Sequence, residues 1–366
     1  MISYWLLYLA PALASLSPFK CRGAVNVTGW VILICMTGCF IGLRHNIGGD
    51  WDNYLYLFFK IEELGLSEAL EGRSKGYGLL NWVIAELGFG IHGVNLVCAV
   101  IGVVCLWGFC RRQKDPLLAW VIFLPYLVLV VGMGYTRQAT AVFLVMLAYV
   151  WLIEERRFRF LLLVFLATLF HKSAFVAFPL VLLVLPWRAI IRKVRQRGPF
   201  ATSSQFWFGL SIVCVMFVVM PTFYWDSVKN YLEYYVYRDQ WSSSGATIRV
   251  MMNALPAVLI LAKWVISQRN YDGEQIHRLW IVLSLAAIAS TFLLLISSTV
   301  ADRMSLYLIA LQGFAFSQVP YWTRSPLYHG VLKAGIVAAY GFVLLVWFSF
   351  ADHAYDWLPY ENILFR

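Results

Sequence analysis

Arg44 stands where one long apolar run of this chain ends, and Arg137, Lys172, Arg249 and Arg303 stand where others begin. A guanidinium stays charged at any accessible pH and can bind a phosphate through two parallel N–H donors. Several such cations converging on one pocket at the edge of a bilayer would hold a phosphate or pyrophosphate. Any one of them alone is better explained by snorkelling to the headgroup region. Snorkelling does not explain the Asp50, His171 and Asp302 that accompany them. His171 is suited to moving a proton near neutral pH, and the positive charge of Lys172 beside it favours the neutral, basic ring. A turn histidine bonded to a backbone carbonyl explains it just as well. Asp50 and Asp52 have the spacing of paired carboxylates that hold a divalent ion, but the next acids are Glu62 and Glu63 and the ligand count is short. No metal is expected. Asp50 instead pairs with an arginine or accepts a proton from a sugar hydroxyl.

Helices in a membrane must position these residues. Of the 366 residues 61% are hydrophobic and only 13% are charged. A helix needs about 20 residues to cross the hydrocarbon, so the chain has room for about twelve crossings. They are expected near 2–18, 24–42, 92–110, 117–133, 137–153, 158–170, 173–187, 206–223, 248–267, 279–298, 303–320 and 331–349. The short run 77–90, which carries Asn81 and Glu86, is expected to be a re-entrant or interfacial helix whose backbone is covered by protein. This choice places the basic turns at Lys20–Arg22, Arg111–Lys114, Arg156–Arg159, Arg188–Arg197, Arg269–Arg278 and Arg324 on the cytoplasmic side. Basic residues flank 158–187 on both sides, so that stretch folds back on itself with His171, Lys172 and Ser173 at the far turn. Ionisable groups at such depth mark a functional site unless shown otherwise.

The chain is expected to form one integral membrane domain over 1–366, with outer-face loops at 44–75 and 224–247. The second loop is rich in Tyr and Trp, which suits either an interfacial aromatic belt or a surface for stacking on sugars. The net charge of +10 is the cytoplasmic Lys and Arg excess of a membrane protein and calls for no nucleic acid. Seven cysteines, an odd number without Cys-x-x-Cys spacing, read as small core residues. No basic residue precedes the first apolar run, which is expected to remain as an uncleaved helix.

Three short motifs occur in order. Arg44, Gly48, Asp50, Trp51, Asn53 and Tyr54 form an Arg-x-x-x-Gly-x-Asp-Trp-x-Asn-Tyr loop. Arg137, Gln138 and Ala141 open a helix, and Phe170, His171, Ser173 and Ala174 form a Phe-His-x-Ser-Ala turn. In these residues the chain resembles the Wzy-type polymerases of O-antigen and exopolysaccharide, in their EpsG-like branch. Downstream the likeness rests on Arg249, Asp302-Arg303 and Pro359-Tyr360. The resemblance implies an all-α, polytopic, GT-C-like glycosyltransferase in a bacterial inner membrane, with its active site facing the exterior. It would transfer a glycan from undecaprenyl pyrophosphate to a sugar hydroxyl of another lipid-linked repeat unit. Arg44, Arg137, Gln138, Lys172, Arg249, Asp302 and Arg303 would bind substrate, and His171 or Asp50 would serve the acceptor. No cofactor is implied. The partners would be the undecaprenyl-pyrophosphate-linked oligosaccharide, the bilayer and, in some systems, a chain-length regulator protein. Two other functions use similar residues: a flippase for lipid-linked oligosaccharide, and a membrane acyltransferase with His171 as base. The first would show repeated halves, which are not evident; the second leaves the arginines unexplained.

Overall fold

The computed structural model describes residues 1–18, 23–72, 74–184, 214, 245–269 and 276–365. The basic residues Lys20, Arg22 and Arg188–Arg197, nearly all of the expected crossing at 206–223, and 224–244 of the expected aromatic loop lie outside these. Among the described residues there is no strand, and the one isolated bridge pairs Arg44 with Asn362. The helices are α1 (Ile2–Leu16), α2 (Gly23–Gly42), α3 (Trp51–Leu64), α4 (Leu66–Glu71), α5 (Lys75–Glu86), α6 (Ile91–Cys110), α7 (Pro116–Gly134), α8 (Thr136–Ile153), α9 (Arg157–Phe170), α10 (Leu180–Leu183), α11 (Ala246–Arg269), α12 (Arg278–Leu293), α13 (Ser298–Ser305), α14 (Ala310–Gln318) and α15 (Pro326–Phe350).

Six of these are long and apolar enough to cross a membrane: α2, α6, α7, α8, α11 and α15. Large apolar side chains stand exposed along several, such as Val31 on α2 and Phe342 on α15, as expected where the solvent is lipid. The chain is an all-α, multi-pass membrane protein. Twelve crossings were expected; among the described residues several of the corresponding elements are short, and 206–223 lies almost wholly outside those residues. The stretch 173–187 begins as a 3₁₀ helix, Lys172–Ala177, followed by the four-residue α10. The crossing expected at 279–298 stops at Leu293, and Ser297 then caps a new helix by accepting from the Val300 N–H. Asp302 and Arg303 lie within α13. The hydrophilic stretch 44–75 is also mostly helical, as α3 and α4.

The described chain divides into two compact units. The first comprises Met1–Val150, Leu163–Ala174 and Gln312–Arg366, and the second Trp151–Leu162 and Phe175–Leu311. In the second unit α11 lies against α12 and α13.

In the first unit small residues set the helix spacing. A Cβ on Gly42 would meet the Leu96 backbone at 2.8 Å, and one on Gly102 or Gly108 would press into Phe143 or Leu147 of α8. Without a hydrophobic force between helices in lipid, close backbone approach supplies the attraction. Residues Leu124–Val131 of α7 are π-helical, a form in which the usual carbonyl partners are displaced. One carbonyl, that of Leu129, accepts from the Trp357 indole N–H at 2.9 Å. Trp357 is fully buried, and its ring covers Gly134 so closely that a Cβ there would lie 2.4 Å from it.

Trp357 belongs to a tail, residues 351–365, that is tied to the start of the chain. Tyr4 donates to the Trp357 carbonyl at 2.7 Å, and the Gly48 N–H donates to that of Asp356 at 2.9 Å. Tyr360 stacks on Phe40 and donates to its carbonyl at 2.9 Å. The His45 and Ile363 N–H groups donate to Glu361 and Leu43 carbonyls, each at 3.0 Å. The loop so framed contains Arg44, which is only 1% exposed. Its Nη1 donates to the Ile41 carbonyl at 2.5 Å, and its Nη2 to Thr136 Oγ1 at 2.7 Å and to Asn95 Oδ1 at 3.3 Å. Its Nε donates to the Ile47 carbonyl at 3.3 Å. Burial lowers its pKa to about 10, which still leaves it charged at neutral pH.

Two substitutions test this frame. Arg44→Lys offers three donors from one point where four separated acceptors are waiting, so it should cost about 2–4 kcal/mol. The unfolding temperature in detergent should drop by several degrees; an unchanged value would refute the structural role. Trp357→Phe leaves the Leu129 carbonyl without its donor, at a cost of about 1–3 kcal/mol. The same melting measurement reads it, and a variant as stable as the parent would show that the indole bond contributes nothing.

Candidate functional site

The residues that converge in the first unit start from the periodicity of α3. Trp51, Tyr54, Phe58 and Ile61 recur at helical spacing and are all buried. Trp51, Tyr54 and Phe58 meet Tyr77 and Ile84 of α5 and Ile91, Val94 and Cys98 of α6 in one cluster, with Phe170 packed against it. Tyr77 is held between two glycines that allow unusually close contact. A Cβ on Gly78 would lie 2.2 Å from the Ala69 carbonyl oxygen, and one on Gly76 would lie 2.7 Å from Leu169 Cβ. The α5 helix is thus pressed onto α4 on one side and onto the end of α9 on the other.

Arg137, in the first turn of α8, lies against this cluster. Its guanidinium carbon is 5.3 Å from the Tyr54 ring centre and 5.9 Å from that of Tyr77. Such a cation over aromatic faces gains about 0.5–2 kcal/mol and fixes the plane of the guanidinium. Tyr54 also reaches Asp50, donating to its Oδ2 at 3.4 Å. Burial and the Asp50 carboxylate push the Tyr54 pKa up to about 12, with Arg137 opposing them, so the phenol keeps its proton. Asp50 and Arg137, 87 residues apart in sequence by their numbers, are therefore joined through Tyr54. Arg137 Nε, the Tyr77 hydroxyl and Gln138 Nε2 are buried without a hydrogen-bond partner among the described residues.

The His171 turn adjoins the same cluster through its neighbours Leu169 and Phe170. The His171 N–H closes α9 on the Ala167 carbonyl at 2.9 Å, and its Nδ1 lies 2.6 Å from Ser173 Oγ. With Nδ1–H donating to Ser173, Nε2 would carry the basic lone pair. Lys172, half-buried, opens the 3₁₀ helix.

Arg44 makes four of its contacts to the protein's own oxygens. A cavity of about 10 Å³, room for one water, adjoins it and is lined by Asn95, Cys98, Thr136 and Thr140 among others. The remaining expected residues belong to the second unit. Arg249 and Asp302 form a two-pronged pair, Nε to Oδ1 at 2.7 Å and Nη2 to Oδ2 at 2.8 Å. Asn253 Nδ2 donates to the Ser305 carbonyl at 2.8 Å, fixing α11 to α13 beside that pair. Arg303 is in the last turn of α13, where a cation suits the helix dipole.

Tyr54 and Tyr77 were not expected as site residues from the sequence. Tyr54 stands inside the Arg44–Tyr54 motif, and Gly-Tyr-Gly at 76–78 was the one signal for Tyr77. A pair of imidazoles was also not foreseen: His45 Nδ1 lies 3.0 Å from His92 Nε2, with Trp51 against both rings. Nothing in the spacing of His45 and His92 announces their contact. Among the described residues no three His, Cys, Asp or Glu gather to hold a metal ion.

No curated protein and no solved structure matches this chain. The EpsG family model matches residues 27–362, a span that takes in the Arg44 loop, the Arg137 helix, the His171 turn and the tail as far as Asn362. The chain belongs to the EpsG family.

Proposed function

We propose that the protein is a polysaccharide polymerase, a glycosyltransferase that joins glycan repeat units carried on undecaprenyl pyrophosphate at the outer face of a bacterial inner membrane. Family membership supports the class of activity. The observation that carries the reading is Arg137, a guanidinium oriented by two tyrosine faces, with a buried Nε lacking a partner and Asp50 one tyrosine away. In the reaction an acceptor hydroxyl oxygen bonds to the anomeric carbon while the bond from that carbon to the lipid pyrophosphate breaks. The hydroxyl proton passes to His171 or Asp50, and the pyrophosphate leaves with the electron pair. Arg137 stabilises that developing charge in a site shielded from water, where such contacts are strongest.

Gln138 and Lys172 are assigned to substrate with Arg137. Arg44 acts at one remove, holding the loop that bears Asp50 and the helix start that bears Arg137. Arg249, Asp302 and Arg303 of the second unit are kept as substrate-binding residues on the strength of the family pattern. Twelve crossings, a GT-C-like arrangement, a single membrane domain and association with a chain-length regulator belong to the same proposal. Lipid pyrophosphate is a good leaving group, so the chemistry needs no metal.

Arg137→Ala should leave full-length protein in the membrane and lower chain extension at least about a hundredfold, the scale on which a lost charge-stabilising contact acts. Purified protein with lipid-linked repeat unit reads this directly, and long chains from the variant would sink the proposal. A transporter would move the substrate without lengthening it in the same assay. Chelator added to that reaction should leave the rate unchanged; full loss of activity would bring a metal back into the mechanism.

A further inference from the structure

We propose that Tyr77 is a second ligand of the anion that Arg137 recognises, its hydroxyl donating a hydrogen bond to a pyrophosphate oxygen. This rests on the assignment of Arg137 to a pyrophosphate. Tyr77 is 0% exposed, and its hydroxyl has no hydrogen-bond partner among the described residues. A buried, unpaired hydroxyl is unfavourable, and phenylalanine would fill the same space without it. The fold nevertheless goes to lengths to place this side chain. Gly76 and Gly78 both sit where no side chain fits, and they seat the ring in the α3–α5–α6 core.

The surroundings favour a negative guest. Arg137 lies 5.9 Å from the Tyr77 ring centre, and its own Nε also lacks an acceptor. Both Arg137 and Arg44 are close enough to act on the Tyr77 phenol electrostatically. Two neighbouring groups therefore present N–H and O–H donors without acceptors, under the field of two guanidinium groups. A phosphate oxygen accepts from both, and neutral sugar hydroxyls would gain nothing from that field. Burial holds the phenol well above its usual range, so it remains a donor and never a competing anion at neutral pH.

Tyr77→Phe tests this, because it keeps the ring against Arg137 and removes only the hydroxyl. The unfolding temperature should be unchanged or higher, since an unpaired polar group has been deleted. The affinity of the purified protein for farnesyl pyrophosphate and for inorganic pyrophosphate should fall about tenfold, the effect of one hydrogen bond to a charged group. The KM for lipid-linked repeat unit should rise in step. A lower unfolding temperature would show that the hydroxyl already has a structural partner, and would overturn the proposal. Equal weakening of phosphatidylglycerol binding would overturn the choice of pyrophosphate over a phosphodiester headgroup. If Tyr77→Phe binds both pyrophosphates normally while Arg137→Ala does not, Tyr77 is no ligand and the Arg137 assignment stands. If both variants bind normally, the Arg137 assignment fails with it.

Discussion

A guanidinium buried with neutral oxygens alone is the constraint on which the first unit depends. Removing Arg44 from water costs several kcal/mol unless its donors are matched, and among the described residues no carboxylate is one of its hydrogen-bond partners. The matching groups come from the end of α2, the following loop, the middle of the first turns of α6 and the start of α8. Each must hold its position for the charge to be tolerated. One side chain thus fixes four segments, and two of them lead directly to Asp50 and Arg137.

Close backbone contact completes what Arg44 begins. Gly48 has φ of 105°, a conformation that side chains disfavour, and a Cβ there would meet the Met133 carbonyl oxygen at 2.5 Å. Gly134 yields its own space to Trp357. The loop, the end of α7 and the tail consequently interlock, and Thr136 follows Gly134 by two residues. The orientation of Arg137 against Tyr54 and Tyr77 is set by this backbone geometry as much as by the aromatic faces.

Much of this was legible in the sequence. Apolar run length gave α2, α6, α8, α11 and α15 nearly to their ends, since burial in lipid leaves few other choices. A short helix, α5, occupies most of the run 77–90, where a re-entrant or interfacial helix was expected. The partners of charged side chains were not legible. Arg44 and Arg137 look alike as arginines at span mouths, yet one donates to two backbone carbonyls and two side-chain oxygens and the other is held on tyrosine rings. Asp302-Arg303 was expected at the mouth of a span, and the helix that carries the pair begins earlier, at Ser298. Tyr77 was hidden because an unpaired hydroxyl is a property of its surroundings, and residue type carries no trace of it.

The tail fixes the order in which the protein can be completed. Tyr4 and Trp357 are 353 positions apart, and the Arg44 backbone finds its bridging partner at Asn362. At a synthesis rate of roughly 5–20 residues per second, the first hairpin waits on the order of tens of seconds in the bilayer before its partner emerges from the ribosome. During that interval the Leu129 carbonyl and the Tyr4 hydroxyl must find temporary partners among water, lipid headgroups or the insertion machinery. The Asp50 loop reaches its final shape last, so a chain interrupted near its end would be inserted and largely helical yet lack an ordered site.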